Sequence, residues 1–233
     1  MKSVLSLIFF LLVPAFAFGC PLIGGLPDFN CDQEMNVVVI GDSFVYGFGD
    51  TSNDNKGGYI LRTQKKLDEI TITGLGVQGL RTPQLISTLK DVFKSDDKPS
   101  ITRDALLTAD YVILDLGRND RWYFGEPITT VKNLKSIRNY INKKVKAAGK
   151  VSPLIITSVL MLPNRGSQGP WVKALNTLIL DTDSDSHPAD LRFDLVSKRL
   201  ISDDQIHPTS KGYQALTRVF VKYLTKNTSQ SVN

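Results

Sequence analysis

Short apolar runs that end at a glycine alternate with segments of helical periodicity along most of the chain. The runs Asn36–Ile40 and Tyr111–Leu116 consist mainly of valine, isoleucine and leucine, and Gly41 and Gly117 follow them directly. Continuous apolar runs of this length are typical of strands that are buried on both faces. We also predict strands at Glu69–Thr73, Pro153–Val159 and Arg192–Val196.

Between these strands, apolar residues recur at intervals of three and four, which predicts amphipathic helices. Thr82 is the expected N-cap of the helix that begins at Pro83. Because strands and helices alternate, we predict an α/β fold with a parallel sheet covered on both faces. Sites in such sheets form beyond the carboxyl ends of the strands. The predicted helices are Tyr59–Leu67, Pro83–Phe93, Val131–Ala148, Trp171–Leu180 and Ser210–Leu224.

Residues 1–19 differ from the rest of the chain. Lys2 precedes the apolar run Val4–Phe18, which only Ser6 and Pro14 interrupt. This run is short for a membrane span and typical of a signal peptide, so we predict cleavage before Cys20 and export to the periplasm or the medium. An uncleaved anchor is the alternative. We expect the rest to form an N-terminal arm over 20–35, one domain over 36–226 and a flexible tail over 227–233.

Two cysteines, Cys20 and Cys31, lie only eleven positions apart in the arm. In an exported protein, such a pair is expected to form a disulfide. The alternative is that Ala17-Phe18-Gly19-Cys20 is a lipobox and that Cys20 carries a lipid anchor, although Phe18 is bulky for that motif. In both interpretations the cysteines precede the core and are not catalytic.

Hydrophobic residues make up 42% of the chain and charged residues 22%, a composition that excludes a disordered or fibrous protein. Much of the positive charge, in a chain of formal net charge +5, lies in Lys132–Lys150. We interpret this stretch as the solvated face of an amphipathic helix; peripheral contact with a membrane or cell envelope is the alternative. The stretch lacks the interleaving of basic and aromatic residues found in nucleic-acid binders, so we expect no nucleic-acid partner. We expect a monomer.

The chain has two histidines, and one of them lies in a pattern suited to catalysis. His187 lies in a polar loop, whereas His207 follows Asp204 by three residues, just before the last predicted helix. At this spacing a carboxylate can fold back onto the ring Nδ1, fix the tautomer and leave Nε2 free as a base. Taken alone, the pair would be an ordinary surface turn beside a helix cap.

Three more residues with chemistry suited to acyl transfer follow predicted strands. Ser43 lies in Gly-Asp-Ser-Phe over 41–44, Gly79 ends Gly-Val-Gln-Gly over 76–79, and Asn119 lies in Gly-Arg-Asn-Asp over 117–120. A hydroxyl beside a base can act as a nucleophile, and the N–H groups of glycine and asparagine can donate to an oxyanion. Each residue alone is also a common turn residue, so the order and placement of the set carry the argument.

In this order, the segments resemble the sequence blocks of the SGNH (GDSL) hydrolase family. Gly41–Phe44 resembles the first block, Gly79 the second-block glycine, Gly117–Asp120 the third-block Gly-x-Asn-Asp, and Asp204–His207 the fifth-block Asp-x-x-His. The resemblance covers about residues 36–226. The second block departs from the family, which often has Gly-Asp or Gly-Asn where this chain has Gly79 followed by leucine.

The resemblance implies a three-layer α/β/α sandwich with a mostly parallel, flavodoxin-like sheet. It implies a carboxylic ester hydrolase that forms an acyl-serine intermediate and uses no metal or other cofactor. By the same resemblance, Ser43 is the nucleophile, His207 the general base and Asp204 the residue that orients it. The backbone N–H groups of Ser43 and Gly79 and the side chain of Asn119 would form the oxyanion hole. An acyltransferase, or a noncatalytic carbohydrate- or lipid-binding module on the same fold, is the alternative.

Two other patterns point to different chemistry. Residues 74–79 read Gly-x-Gly-x-x-Gly, the dinucleotide-binding fingerprint, and Asp96 and Asp97 lie near the position of a ribose-binding acid. However, no second strand precedes these aspartates, and nicotinamide cofactors are scarce outside the cell. Asp-x-Asp-x-Asp over 181–185 resembles the start of a calcium loop, but the glycine and glutamate that such a loop requires are absent. We therefore expect neither site.

The motifs leave the substrate open, because specificity in this family lies in loops. The candidate loops are Val45–Lys56, Trp122–Thr130 and Pro163–Trp171. A short-chain acyl ester is the first expectation, followed by an acetylated carbohydrate or a lysophospholipid. Aromatic side chains in these loops are candidates for lining an acyl or sugar pocket: Tyr46, Phe48, Trp122, Tyr123, Phe124 and Trp171.

Overall fold

A computed structural model of the protein describes residues 20–54, 56–94, 100–161, 168–182 and 200–226. The predicted signal peptide, the C-terminal tail, His187 and the predicted strand Arg192–Val196 lie outside these residues. Asp96 and Asp97 also lie outside them.

A four-stranded parallel sheet forms the centre of the molecule. Strands β1 (Leu22–Ile23) and β2 (Leu26–Pro27) form a small antiparallel hairpin in the arm. The main sheet has the order β4-β3-β5-β6, with all pairs parallel. Its strands are β3 (Asn36–Gly41), β4 (Thr71–Gly76), β5 (Tyr111–Asp115) and β6 (Leu154–Thr157).

Seven α-helices and two short 3₁₀ helices lie among the described residues. The 3₁₀ helices span Thr51–Asn53 and Arg118–Trp122. The α-helices are α1 (Ser43–Tyr46), α2 (Gly58–Gln64), α3 (Thr82–Val92), α4 (Ile101–Thr108), α5 (Pro127–Ala147), α6 (Gln168–Thr182) and α7 (Ser210–Lys226).

Side chains alternate across the sheet and build one hydrophobic core on each face. Val37 and Val39 of β3 pack with α2 and α7, where the Tyr59 and Phe220 rings meet edge to face with centroids 5.2 Å apart. Val38 and Ile40 of the same strand pack with α3, α4, α5 and α6. The sheet is therefore covered on both faces, which confirms the predicted α/β fold.

Among the elements that differ from the sequence prediction are β4, α3 and α4. Strand β4 begins at Thr71 and continues to Gly76, beyond the predicted end at Thr73. The N-cap of α3 is Arg81, because Thr82 lies inside the first turn and uses its hydroxyl elsewhere. Helix α4 was not predicted. Leu106 is its one fully buried side chain, and Ile101 at its first position is 80% exposed, so its apolar residues do not form one continuous buried face.

The arm and the basic stretch have simple structural roles. Cys20 and Cys31 form a disulfide. The basic stretch lies on α5, which buries Leu134, Ile137 and Ile141 and exposes most of its lysines, as expected for a solvated helix face. Over the described residues, the longest apolar stretch in any helix falls short of a membrane span.

Candidate active site

Ser43 lies just beyond the carboxyl end of β3, the first strand of the main sheet along the chain. Strand β3 ends at Gly41, and the Asp42 carboxylate accepts a hydrogen bond from the Phe44 N–H at 3.1 Å, which caps α1. Ser43 is the first residue of that helix and is 8% exposed. A Cβ atom on Gly76 would lie 2.2 Å from the Tyr46 nitrogen, so only glycine lets α1 pack this closely on β4.

His207 is presented by a tight turn that precedes α7. Ile201 and Pro208 close the turn as a β-bridge, and the Ser202 N–H donates to the His207 carbonyl at 2.8 Å. Inside the turn, Asp204 Oδ1 accepts hydrogen bonds from the Ser202 hydroxyl and from the Ile206 and His207 N–H groups, at 2.7, 2.8 and 2.9 Å. These bonds fix the direction of the Asp204 carboxylate.

The two regions meet through a continuous chain of hydrogen bonds. Asp204 Oδ2 lies 2.6 Å from His207 Nδ1, and His207 Nε2 lies 2.8 Å from Ser43 Oγ. The rings of Phe44 and Phe48 contact the imidazole, with centroids 5.7 and 4.7 Å from it. Ser43 and His207 are 164 residues apart in the sequence, so the fold alone brings them together.

The charge on Asp204 is well defined. Partial burial pushes its pKa upward, but hydrogen bonds from the His207 ring, the Ser202 hydroxyl and two backbone N–H groups outweigh this effect. The pKa of Asp204 is therefore held well below its usual range. An ionised Asp204 favours the tautomer in which His207 Nδ1 carries the proton and Nε2 can accept one from Ser43.

The three candidate oxyanion donors lie at the carboxyl ends of the neighbouring strands β4, β3 and β5. The Ser43 N–H is at the first position of α1, where helical N–H groups have no partner within the helix. Gly79 is exposed, adopts a φ of +70°, and its N–H donates to no acceptor among the described residues. Asn119 Nδ2 donates to the Leu80 carbonyl at 3.1 Å, which leaves the second amide proton for a ligand.

Comparison with known proteins identifies the family of the chain. The GDSL-like lipase/acylhydrolase family matches residues 39–215, which is more than half of the chain. The chain belongs to this family. It is a carboxylic ester hydrolase of the SGNH/GDSL kind, as the sequence blocks indicated. Among curated proteins, no sequence matches this hydrolase.

Solved structures of the same fold are similar to this hydrolase at low sequence identity. A GDSL-family lipolytic protein from Veillonella parvula has a TM-score of 0.60 and 15% identity, over 82% of this chain and 99% of its own. A psychrotrophic esterase from Pseudoalteromonas sp. has a TM-score of 0.55 and 19% identity, over 82% and 97%. A catalytic mutant of an acetylxylan esterase from Geobacillus stearothermophilus has a TM-score of 0.53 and 18% identity, over 84% and 97%.

A buried carboxylate that has no role predicted from the sequence connects the loops that carry two of the candidate oxyanion donors. Asp120 is fully buried and accepts hydrogen bonds from the Thr82 N–H at 2.9 Å, from the Thr82 hydroxyl, and from the Thr130 hydroxyl at 2.9 Å. Thr82 begins α3 just after Gly79, and Asp120 follows Asn119. Asp120 therefore fixes the distance between the two loops that carry these donors. The signal available in the sequence was its place beside Asn119 in the third block.

A second missed feature is a buried ion network beneath Ser43. Arg118 is 2% exposed and donates to both Asp42 oxygens at 3.1 Å and to Asp115 Oδ1 at 2.7 Å. Its guanidinium carbon lies 4.0 Å from the centroid of the Phe44 ring. The Tyr59 hydroxyl donates to the other Asp115 oxygen at 2.7 Å. Asp42 caps α1, so this network supports the helix that presents Ser43.

The charges in this network depend on one another. Burial raises the pKa of Asp42, and the Arg118 guanidinium opposes that rise. Burial lowers the pKa of Arg118, but the Asp115 and Asp42 carboxylates outweigh this effect and raise it, so the guanidinium stays charged. Burial and the charge of Asp115 raise the pKa of Tyr59 well above its usual value, so its hydroxyl remains a donor.

The structure also explains the pattern that resembled a dinucleotide fingerprint. Gly74 and Gly76 lie within β4 and not in a phosphate-binding turn. A Cβ atom on Gly74 would lie 3.0 Å from the Ile60 side chain, so this glycine allows α2 to pack on the strand edge. Of the acidic loop over 181–185, only the first two residues belong to the described part of the chain.

The candidate specificity loops are partly described. Phe48 is partly exposed beside His207, and Trp122 and Tyr123 are 57% and 63% exposed just after Asn119. Trp171 lies within α6 and packs against the hydrophobic core on that face of the sheet. The part of this loop that precedes α6, residues 163–167, lies outside the described residues.

Proposed function

We propose that this hydrolase cleaves carboxylic esters through an acyl-serine intermediate, with Ser43 as nucleophile and His207 as general base. The observation that carries this proposal is the unbroken hydrogen-bond chain from Asp204 through His207 to Ser43. Ser43 Oγ attacks the ester carbonyl and His207 Nε2 takes its proton. Asp204 stabilises the resulting imidazolium. His207 then gives the proton to the leaving alcohol, and a water molecule repeats the sequence to release the acid.

The negative charge that develops on the carbonyl oxygen needs donors that are already in place. We propose the Ser43 and Gly79 N–H groups and the Asn119 side chain for this role. The support is their common location at the carboxyl ends of three adjacent strands, and the bracing of the Gly79 and Asn119 loops by Asp120. Donors held this way need little rearrangement during the reaction, and one such donor contributes about 3 to 4 kcal/mol of transition-state stabilisation.

For the substrate we propose a short-chain acyl ester, with an acetylated carbohydrate as the natural candidate of that class. Ser43 is nearly buried, and Phe44 and Phe48 flank its histidine, which leaves limited room for the acyl group. The rings of Trp122 and Tyr123 beyond Asn119 are largely exposed although an arginine stacks on one face of each, and exposed aromatic rings of this kind can pack against a sugar. The structural similarity to an acetylxylan esterase agrees with this candidate. We also propose that the protein is exported, on the basis of its N-terminal sequence.

The test is a chain-length series of esters combined with active-site labelling. The purified protein is assayed on p-nitrophenyl acetate, butyrate and palmitate, and treated with a fluorophosphonate probe that reacts with activated serines. We expect fastest turnover of acetate or butyrate, inhibition by the probe, and a labelled peptide that contains Ser43.

Mutation of the nucleophile completes this test. Ser43→Ala should lower kcat by about four or more orders of magnitude and abolish labelling. Ser136→Ala, at an exposed position on α5, is the matched control and should retain full activity. Near-normal turnover in Ser43→Ala would overturn the mechanism, and fastest turnover of palmitate would overturn the substrate class.

A further inference from the structure

Arg81 lies directly beside the proposed oxyanion hole. It follows Leu80, whose carbonyl accepts the hydrogen bond from Asn119 Nδ2 at 3.1 Å. It is also two residues from Gly79 and is the N-cap residue of α3. Its backbone is therefore fixed within one peptide unit of a group that contacts Asn119. A side chain of this length can reach a substituent a few bonds away from the reacting carbonyl.

The guanidinium of Arg81 is held in position by two contacts. Its Nε donates to Gln84 Oε1 at 3.3 Å, and the same oxygen accepts the Arg81 backbone N–H at 3.0 Å. The guanidinium carbon lies 3.5 Å from the centroid of the Tyr123 ring, which is the distance of a stacked cation–π contact. Tyr123 follows Asn119 by four residues, so the stack spans the two loops that carry the oxyanion donors.

Arg81 has no anionic partner within the described part of the chain. Every ion pair between described residues involves a cation other than Arg81. The two contacts of the Arg81 guanidinium group are with neutral side chains, those of Gln84 and Tyr123. The contrast with Arg118 is direct, since that guanidinium is enclosed by two carboxylates. The terminal amino groups of Arg81 keep four N–H donors in a planar fork, a shape that matches the two oxygens of a carboxylate.

We propose that Arg81 is a specificity residue that binds a carboxylate on the ester substrate, so that the preferred substrates of this hydrolase carry a negative charge near the scissile bond. This inference rests on the proposed function. An arginine that is already stacked and hydrogen-bonded loses little side-chain freedom when it binds an anion. Its charge-assisted hydrogen bonds would form in the enzyme–substrate complex and persist through the reaction, so they act mainly on KM.

The test uses two matched pairs of esters that differ by one carboxylate. The first pair is p-nitrophenyl hemisuccinate and p-nitrophenyl butyrate, which place the charge on an acyl chain of equal length. The second pair is 4-acetoxybenzoate and phenyl acetate, which place it on the leaving group. For at least one pair, we expect Arg81→Gln to lower kcat/KM for the anionic ester about tenfold to a hundredfold, mainly through KM, and to change the neutral ester less than about twofold.

Two further variants separate recognition from loop bracing. Arg218→Gln removes an exposed arginine on α7, on the opposite face of the sheet from α3, and should leave both pairs unchanged. Arg81→Lys keeps the charge and loses the fork, so it should recover only part of the anionic rate. Equal loss on anionic and neutral esters in Arg81→Gln would overturn the proposal and assign Arg81 a purely structural role.

A binding measurement keeps the inference independent of turnover. Titration calorimetry of 4-acetoxybenzoate and of p-nitrophenyl hemisuccinate into the Ser43→Ala variant, and into the Ser43→Ala/Arg81→Gln double variant, measures binding without catalysis. We expect the added Arg81→Gln change to raise Kd for at least one of these anions by about tenfold or more. Unchanged Kd values for both anions would overturn the anion site. Loss of wild-type turnover on all four esters, with these Kd values as expected, would instead overturn the proposed function.

Discussion

The two halves of the active site are supported in opposite ways. Ser43 follows Asp42, which belongs to a fully buried ion network with Arg118 and Asp115. His207 lies in a surface turn, in which the Asp204 side chain is 37% exposed. All hydrogen bonds of the Asp204 carboxylate come from residues of this turn. The support of Ser43 therefore joins Asp42 to Arg118, 76 residues away, whereas the Asp204 carboxylate that contacts His207 is held by residues of its own turn.

This difference separates stability from catalysis. A buried charge that loses its partner is costly, because the remaining charge has no water to solvate it. A half-exposed carboxylate that is replaced by an amide loses little stability, since water solvates whatever the turn leaves unpaired. Changes beneath Ser43 should therefore act on the folded state, whereas changes at Asp204 should act on the reaction.

The largest expected effect is on the exposed side of this comparison. Asp204→Asn keeps the shape of the turn, but its amide can donate to His207 Nδ1 and thereby move the ring proton to Nε2, where it blocks proton transfer from Ser43. We expect kcat to fall by about three to four orders of magnitude, equivalent to about 4 to 5.5 kcal/mol of activation free energy. Ester turnover checks this directly.

The neighbouring residue supplies a matched control for that change. Asp203 is exposed in the same turn. Asp203→Asn alters the charge of the turn by the same amount without touching His207, and should keep nearly full activity. A comparable loss in both variants would mean that the charge of the turn, and not the His207 tautomer, controls the rate.

The next largest effect is expected on the buried side. Arg118→Met leaves Asp42 and Asp115 enclosed without a counter-charge and should lower the free energy of unfolding by about 3 to 5 kcal/mol. Urea denaturation followed by circular dichroism measures this loss. Adding Asp42→Asn and Asp115→Asn to the same protein removes the stranded charges and should restore part of it.

An exposed arginine tests whether burial is the cause. Arg218 lies exposed on α7, and Arg218→Met should change the free energy of unfolding by less than about 0.5 kcal/mol. If Arg118→Met were equally mild, the ion network would not be what supports the nucleophile helix.

The same contrast explains what the sequence could predict. Asp204 and His207 could be paired from their spacing, because the interaction is confined to one turn. Ser43 and Asn119 could be placed together because each follows a glycine after an apolar run, and parallel strands present such residues at one edge of a sheet. The sheet order itself, with β3 between β4 and β5, is a property of the tertiary structure.

The buried partners carried no comparable signal. Arg118 and Asp42 are 76 residues apart, and nothing local in either segment distinguishes an ion pair from two ordinary turn residues. Thr82 was predicted as a helix cap, but tertiary contact with Asp120 changed that role. The predicted single domain and signal peptide remain predictions.

A third effect tests the loops that bridge the two halves. Asn119→Ala removes one proposed oxyanion donor and the contact with the Leu80 carbonyl. We expect kcat to fall about a hundredfold to a thousandfold, or about 2.7 to 4 kcal/mol, with little change in KM, because the bond to the oxyanion forms only in the transition state. Asn139→Ala, at an exposed position on α5, is the control. A rise in KM with kcat unchanged would assign Asn119 to substrate binding.

The smallest effect concerns acid stability of the turn. The pKa of Asp204 is lowered in the folded protein, so its stabilising contribution is present above the unfolded-state pKa of about 3.9 and is lost as pH falls through the folded value. Because the side chain is more than a third exposed, solvent screening keeps this contribution at or below about 1 kcal/mol. Between pH 5 and about pH 2, wild-type protein should therefore lose slightly more unfolding free energy than Asp204→Asn, measured by urea denaturation at each pH. Asp203→Asn should follow the wild type, and identical pH profiles for wild type and Asp204→Asn would show that the carboxylate of the turn orients His207 without stabilising the fold.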